Sequence, residues 1–151
     1  MREKVMKQIM KRSISLLLLC LLVCRMMVLA FGAEARGSDY FFAHSVSATP
    51  IGNGKIAFEF DILATHTMTE LGANYIKVYR ENSDGTATLM RTYDQSNTSG
   101  LYTTNSNNKY GRVDYQGVVG NDYFAVISMY CRNASGTESK ARTTYVVTAV
   151  A

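Results

Sequence analysis

The sequence predicts an all-β protein: one antiparallel β-sandwich of seven strands that follows an N-terminal signal peptide. After residue 38, apolar and polar residues alternate over several short segments, and Asn-Gly and Asp-Gly dipeptides separate some of these segments. A period of two is typical of half-buried strands, and these dipeptides favour tight turns between antiparallel neighbours. No segment carries a sustained apolar repeat of 3.6 residues. Seven short strands over roughly 110 residues fit two packed sheets better than a barrel or an α/β fold.

The N-terminal segment has the layout of a secretion signal. Residues 1–12 hold five basic residues and one acidic residue, and an almost unbroken apolar run follows at residues 14–24. This order is typical of a signal peptide. We therefore divide the chain into a signal peptide, residues 1–35, and a β-sandwich domain, residues 36–151. The candidate cleavage sites, in order of preference, follow Ala35, Ala33 or Ala30.

Two alternatives to cleavage are weaker. An uncleaved anchor would hold Arg25 near the middle of the bilayer, where a charge costs roughly 2.5–3.5 kcal/mol on insertion scales. A lipoprotein would need a small residue before its lipid-acceptor cysteine, but Leu and Val precede Cys20 and Cys24. We therefore predict a secreted, extracellular domain without membrane attachment. The last predicted strand ends just before Ala151, which favours release from the cell over wall attachment.

The basic pI of about 9.0 reflects the signal peptide. Of the 16 basic and 12 acidic residues in the chain, six and two lie in residues 1–35, which leaves ten of each in residues 36–151. A neutral domain lacks the positive charge that nucleic-acid binding uses, so we expect no nucleic-acid partner. Cys131 is the one cysteine after residue 35, and we expect it to be a small buried apolar group.

The predicted strands follow from the alternation and from the turns between them. The clearest strand is residues 55–64, in which every second residue from Ile56 onward is apolar, and residues 123–132 repeat the rhythm. Asn53-Gly54 and Asp84-Gly85 tolerate positive φ angles, so each is predicted to close a tight turn. The remaining predicted strands are residues 41–48, 75–80, 86–93, 110–116 and 143–149.

Residues 95–109 interrupt this pattern, because nearly all of them are Ser, Thr, Asn or Gly apart from Leu101 and Tyr102. A loop of this length is uncommon and is usually either functional or mobile. We predict a flexible surface loop in which Leu101 and Tyr102 pair briefly with a sheet edge.

The C-terminal third carries a resemblance to a known fold. The segment GVVGNDYFAVISMYCRNASGTESKARTTYVVTA resembles the closing strands of fibronectin type III and related immunoglobulin-like domains. In those domains a Tyr opens strand F after a glycine-containing corner, and an Asn/Gly turn leads to strand G. The resemblance implies that Tyr123 is the corner tyrosine and that residues 133–136 form the turn. NYIKVYR, at residues 74–80, looks like strand C of the same fold.

The chain departs from that family because it contains no Trp, so Phe58 or Phe60 would fill the space of the usual strand B tryptophan. The whole chain, with ATPIGNGKIAFEFDILATHTMTELGANYIKVYR at its centre, is also similar to a family of small secreted proteins of unknown function from Gram-positive gut bacteria. Neither resemblance implies an activity, because one fold supports many functions.

No catalytic motif is visible in the sequence. There is no G-x-S-x-G nucleophile elbow, no H-E-x-x-H motif and no Cys-x-x-Cys pair. Gly52-Asn53-Gly54 begins like a dinucleotide fingerprint, but no third Gly follows, and a hairpin turn fits better. We therefore predict no enzymatic activity and no cofactor.

The two histidines, His44 and His66, could share a metal with Asp61 or Glu70 if adjacent strands brought them together. Their separation matches no metal-ligand motif. We therefore predict no metal site and two unrelated, partly exposed histidines.

The candidate binding site is an aromatic face. Strands C and F are neighbours in a fibronectin-like sandwich, so the outer phases of residues 75–80 and 123–132 would lie side by side. Tyrosines stack on sugar rings and anchor protein interfaces, so this composition is typical of a recognition patch. Alternatives are ordinary cross-strand pairing, a dimer interface, or burial under the 95–109 loop. The candidate binding residues are Tyr75, Tyr79, Phe124 and Tyr130, with Lys77 and Arg132 at the rims.

These observations favour a secreted, non-catalytic binding module whose partner is an extracellular glycan or protein. The alternative is a structural or accessory surface protein that self-assembles through strand edges or through the aromatic face. An enzyme is the least favoured class, because no catalytic constellation is visible.

Overall fold

The computed structural model describes residues 39–151, which form one antiparallel sheet of seven strands that curls into a half-barrel. The predicted signal peptide and its cleavage site lie outside these residues. Nothing in the described part is a helix of the length and apolarity needed to cross a bilayer. The strands are β1 (Phe41–Gly52), β2 (Lys55–Glu81), β3 (Ala87–Asp94), β4 (Tyr102–Gln116), β5 (Asp122–Asn133), β6 (Gly136–Thr143) and β7 (Val147–Thr148).

The prediction of an all-β, antiparallel fold is confirmed, but the strands belong to one continuous sheet instead of two separate ones. The reason is β2, which is 27 residues long and joins the predicted strands at residues 55–64 and 75–80. Its first half pairs with β1 and β4, and its second half pairs with β3 and β5, while β4 continues past the middle as far as Gly72. The connection stays extended because three threonines at residues 65–69 favour strand conformation, and Met68 and Leu71 are buried in the core.

The long strand bends where its neighbours change. β1 pairs with β2 as far as Ala64, and β5 pairs with it from Glu70 onward. Between these points, the register with β4 shifts between Leu63 and Met68. Irregularities of this kind bend a strand and increase its twist. The two halves of β2 therefore direct their inner faces to a single hydrophobic cluster.

The core confirms the predicted inward phases of β2 and β5. Burying each large side chain contributes about 1.5–3 kcal/mol before the cost of ordering the chain. Cys131 is fully buried among these side chains, as predicted. The inward residues include Ile56, Phe58, Phe60, Ile62, Ile76 and Val78 of β2, together with Tyr123, Ala125, Ile127, Met129 and Cys131 of β5.

The prediction of a flexible loop at residues 95–109 is wrong for most of its length, because β4 begins at Tyr102. Polar residues form this strand because β2 supplies its backbone partners, from Gly72 opposite Tyr102 to Leu63 opposite Asn108. The segment before β4 is short, and its Leu101 side chain is buried while its carbonyl accepts a hydrogen bond from the backbone N–H of Ala73 at 2.8 Å. Backbone pairing thus overrides the low strand propensity of the side chains.

The end of the chain also differs from the prediction of one strand at residues 143–149. β6 lies earlier, at Gly136–Thr143, and β7 contains two residues. β6 pairs with β5 along its whole length, although its sequence GTESKART has no apolar alternation. The predicted turn before it is confirmed, since Asn133 pairs directly with Gly136.

The hairpin turn predicted at Asn53-Gly54 is present. Both residues have positive φ angles, 54° and 75°, and the flanking Gly52 pairs with Lys55. Positive φ at both central positions is the geometry of a type I′ turn, whose twist matches the strands that it joins.

The packing of Gly111 against Phe60 yields a stability test. The two residues are paired on β4 and β2, and a Cβ atom added at Gly111 would overlap the Phe60 ring. Gly111→Ala is therefore expected to lower the free energy of unfolding by about 1–3 kcal/mol in urea denaturation. In a Phe60→Leu background the same change should cost at least about 0.5 kcal/mol less. Strictly additive costs would show that the ring does not fill the space above Gly111.

Candidate functional site

The candidate site lies on the outer face of the second half of β2, the face directed away from the core. The register pairs Tyr79 with Phe124 and Lys77 with Val126 across β2 and β5. Directly paired residues of antiparallel strands project from the same face. Tyr75 lies two residues before Lys77 in β2 and therefore projects from that face too. The structure thus brings Tyr75, Tyr79 and Phe124 to one surface.

Three apolar side chains form a row across this surface, which we call the aromatic row: Leu89 of β3, Tyr79 of β2 and Phe124 of β5. The rings of Tyr79 and Phe124 are stacked, with centroids 5.3 Å apart and an interplanar angle of 12°. Both rings are half-buried, whereas Leu89 is 50% exposed. The row therefore presents ring edges and an aliphatic side chain to the exterior.

Tyr75 lies beside the row and is covered on one side. The Nζ atom of Lys77 lies 4.7 Å from the centroid of the Tyr75 ring. This distance is within the range of a cation–π interaction, which is worth about 0.5–1 kcal/mol at exposed sites. One face of the Tyr75 ring is thus occupied by the charged side chain, which adds a positive group to the rim of the aromatic row.

The prediction that Tyr130 is exposed is wrong, since 1% of it is accessible. It projects from the outer face as predicted, and its partner across β2 is Gly72, where an added Cβ atom would overlap the Leu101 carbonyl and Tyr102. The Tyr130 hydroxyl donates to Oε1 of Glu70 at 2.6 Å and accepts from Nε2 of Gln95 at 2.8 Å. Burial, together with the hydrogen bond to Glu70, raises the pKa of Tyr130 far above its ordinary value. Arg132 completes the cluster through an ion pair with Glu70 at 3.1 Å.

The two histidines lie at the start of β1 and in β2, and each contacts the β5–β6 hairpin. The Nε atom of Arg142 donates to Nε2 of His44 at 3.1 Å, so His44 accepts in its neutral form. His66 lies 3.1 Å from the side-chain amide of Asn133 and 2.9 Å from Oγ1 of Thr65. Within residues 39–151, no three His, Cys, Asp or Glu side chains gather in a geometry that could hold a metal ion.

The structure adds residues to the outer face that sequence reasoning missed. Leu89 belongs to the aromatic row because it pairs directly with Tyr79. The register of β3 shifts beyond this pair, so Val78 faces Arg91 and Met90 is the extra residue. Tyr110 and Arg112 belong to the predicted strand at residues 110–116, which carries no predicted site residue, and β4 places them along the first half of β2. The predicted Asp84-Gly85 turn indicates that β3 pairs with β2 but does not fix which residue faces Tyr79, and the register shift has no clear signal in the side chains.

Comparison with known proteins adds no assignment. No protein-family model matches the chain, and no curated protein matches it significantly. The function therefore has to be inferred from the geometry of the described residues.

The His44 contact predicts a pH dependence of stability. Burial, and then the charges of Arg142 and Lys140, lower the pKa of His44 below its ordinary 6.5, while Glu138 opposes them. Below pH 6.5 the unfolded chain therefore binds more protons at this site than the folded chain, so stability is complete above that pH and declines below it. His44→Gln is expected to reduce the difference between the urea midpoints at pH 7 and pH 5. The neighbouring Ser45→Ala variant should keep the full difference, and an unchanged difference in His44→Gln would contradict the assignment.

Proposed function

We propose that the chain is exported, is cleaved near Ala35, and acts outside the cell as a non-catalytic binding module. Residues 39–151 would supply a rigid sheet, and the aromatic row would contact the ligand. The observation that carries this proposal is the placement of Leu89, Tyr79 and Phe124 side by side on a sheet face directed away from the core. A core-directed role cannot account for these side chains, because the inward phase of the same strands fills the core.

The composition of this face supports recognition of a protein more than of a glycan. Sugar-binding aromatic residues offer a free ring face for stacking. Here Tyr79 and Phe124 stack on each other, and Lys77 covers Tyr75. The exposed remainder is apolar in the centre and charged at the rim, which is the arrangement of a protein interface. An extracellular protein is therefore the favoured partner, and an extracellular glycan is the alternative.

Three reactive side chains, Cys131, His44 and Tyr130, are buried or engaged in structural contacts, which supports a non-catalytic role. Burial raises the pKa of the Cys131 thiol to about 12, so its nucleophilic thiolate is scarce near neutral pH. His44 accepts a hydrogen bond from Arg142, and the Tyr130 hydroxyl is bonded to Glu70 and Gln95.

We also propose a relationship to the immunoglobulin-like and fibronectin type III sandwiches. Those folds place strands A, B and E in one sheet and strands C, F and G in the other. If the two halves of β2 correspond to strands B and C, then β1 and β4 match A and E, while β5 and β6 match F and G. A further likeness is that the Tyr123 hydroxyl accepts a hydrogen bond from the backbone N–H of Val118 at 3.0 Å, as a corner tyrosine does.

A second candidate function, self-assembly, is favoured by one feature of β3. Among the described strands β3 pairs with β2 alone, so its outer edge has unpaired backbone groups. Leu89 and Met90 of this strand are 50% and 42% exposed. An exposed edge with large apolar side chains is a template for pairing with another chain.

If the aromatic row binds the ligand, substitutions within the row should weaken ligand binding. Leu89→Lys and Tyr79→Ala should each weaken retention of the partner at least tenfold, which corresponds to about 1.4 kcal/mol, because both remove apolar contact at the centre of the interface. Retention of proteins is measured by passing extracellular protein fractions over the immobilised protein. Retention of glycans is measured by applying the protein to a glycan array. Tyr145→Ala, at an 89% exposed tyrosine outside the row, serves as the matched control and should bind like the wild type.

Each alternative gives a different result in that experiment. Ligand retention that is the same in all variants would exclude the aromatic row as the binding site. If the protein retains a glycan and this retention depends on Tyr79, the ligand is a glycan and not a protein. Sedimentation that shows an oligomer, dissociated by Leu89→Lys and by Met90→Lys, would favour self-assembly.

The corner role of Tyr123 predicts a stability effect. Tyr123→Phe leaves the part-buried N–H of Val118 without its acceptor, so the free energy of unfolding should fall by about 1–3 kcal/mol. Tyr115→Phe is the matched control, since its ring lies 5.3 Å away and its hydroxyl makes no hydrogen bond within residues 39–151. Equal urea midpoints for the two variants would remove this support for the relationship.

A further inference from the structure

A shallow depression lies on the outer face of the first half of β2, on the part of the sheet that lacks the aromatic row. It is lined by three residues of β1, Ala43, His44 and Ser45, and by two of β2, Asp61 and Leu63, and its volume is about 210 Å³. A water molecule occupies about 30 Å³ in the liquid. The depression therefore has room for one amino-acid side chain.

Asp61 is the charged outer-face group of this depression. It pairs directly with Ser45 on β1 and with Tyr110 on β4. Neither hydroxyl is bonded to it, because Tyr110 donates to Oε1 of Glu59 at 2.6 Å and Ser45 makes no side-chain hydrogen bond in the described part of the chain. The Asp61 carboxylate thus has its acceptor sites open toward the exterior.

Arg112, which pairs with Glu59 on the same face, is engaged elsewhere. Arg112 donates from Nε to Asp114 at 2.8 Å and lies 3.5 Å from Oε1 of Glu59 through its Nη1 atom. No ion pair reaches Asp61 from any residue between 39 and 151. Glu59 and Asp114 thus share one basic partner on β4, whereas Asp61 has no ion pair within residues 39–151.

The other side of the depression is apolar. Ala43 and Leu63 are direct partners on β1 and β2, and Leu63 is 39% exposed. The register of β1 shifts between Phe41 and Ala43, and the extra residue at this bulge, Phe42, is 73% exposed. Bulges redirect side chains, and this one leaves a phenyl ring in solvent beside Ala43.

We propose that this depression binds the side chain of a lysine residue from a protein partner. The ammonium group donates to the Asp61 carboxylate and to Oγ of Ser45, and the methylene stem lies against Ala43 and Leu63. The Phe42 ring adds an aromatic surface for the cation. A calcium ion fits less well, because it takes six to eight oxygen ligands and the depression offers one carboxylate. This site is independent of the aromatic row and of the function proposed for that row.

The test uses Nα-acetyl-lysine methylamide as the probe and ¹H–¹⁵N NMR spectra of the isotope-labelled protein. The expected result is saturable shifts of the amide signals of Ala43, Ser45 and Leu63. The Nε-acetylated probe, which lacks the charge, should bind at least fivefold more weakly. Asp61→Asn should weaken binding of the charged probe by a similar factor, and Phe42→Ala should weaken it to a smaller extent.

Matched controls make the result decisive. Glu81→Gln removes one negative charge from an exposed residue at the other end of β2 and should leave binding unchanged. Equal loss in Glu81→Gln and Asp61→Asn would show a general charge effect and overturn the proposal. Shifts that do not saturate, or tighter binding of glucosamine than of the lysine probe, would also overturn it. Loss of partner binding through the aromatic row would not affect any of these outcomes.

Discussion

The fold depends on the backbone hydrogen bonds that β2 makes along both of its edges. Four strands pair with β2 directly, while β6 and β7 are attached through β5. A strand of 27 residues can serve four neighbours because each pair occupies only part of its length. The bend between its halves then directs both inner faces to one core. One long strand thus takes the place of two shorter strands in a two-sheet fold.

This arrangement separates the two faces of the sheet by role. The inner phase of β2 and β5 is committed to the core, where almost every side chain is fully buried. The outer phase is free of that constraint, and its composition differs between the halves. The second half carries the apolar aromatic row, whereas the first half carries Glu59, Asp61 and their polar neighbours on β4. The two candidate binding surfaces are thus positioned by the same strand but differ in chemistry.

Sequence reasoning succeeded where side chains alternate and failed where backbone pairing decides. The inward residues of β2 and β5 and the Asn53-Gly54 turn could be predicted, because buried strand positions favour apolar residues and positive φ angles favour Asn and Gly. β6 and the first part of β4 could not be predicted, because polar side chains indicate exposure and do not distinguish a strand from a loop. The strand partners of β4 are also distant in sequence. Tyr79 and Phe124 were correctly placed on one face by parity. Tyr130 has the same parity, but it is buried and its hydroxyl is bonded to Gln95 and Glu70, which parity does not reveal.

The position of β2 in the chain has a consequence for the order of folding during synthesis. Its second half pairs with β5, and Glu70 and Arg132 are 62 residues apart. The ribosome therefore releases β2 well before β5 exists, and closing such a distant contact is slow because of the entropy of the intervening chain. Until β5 emerges, one edge of the nascent β2 stays open beside apolar side chains, so this interval is when the chain is most exposed to aggregation.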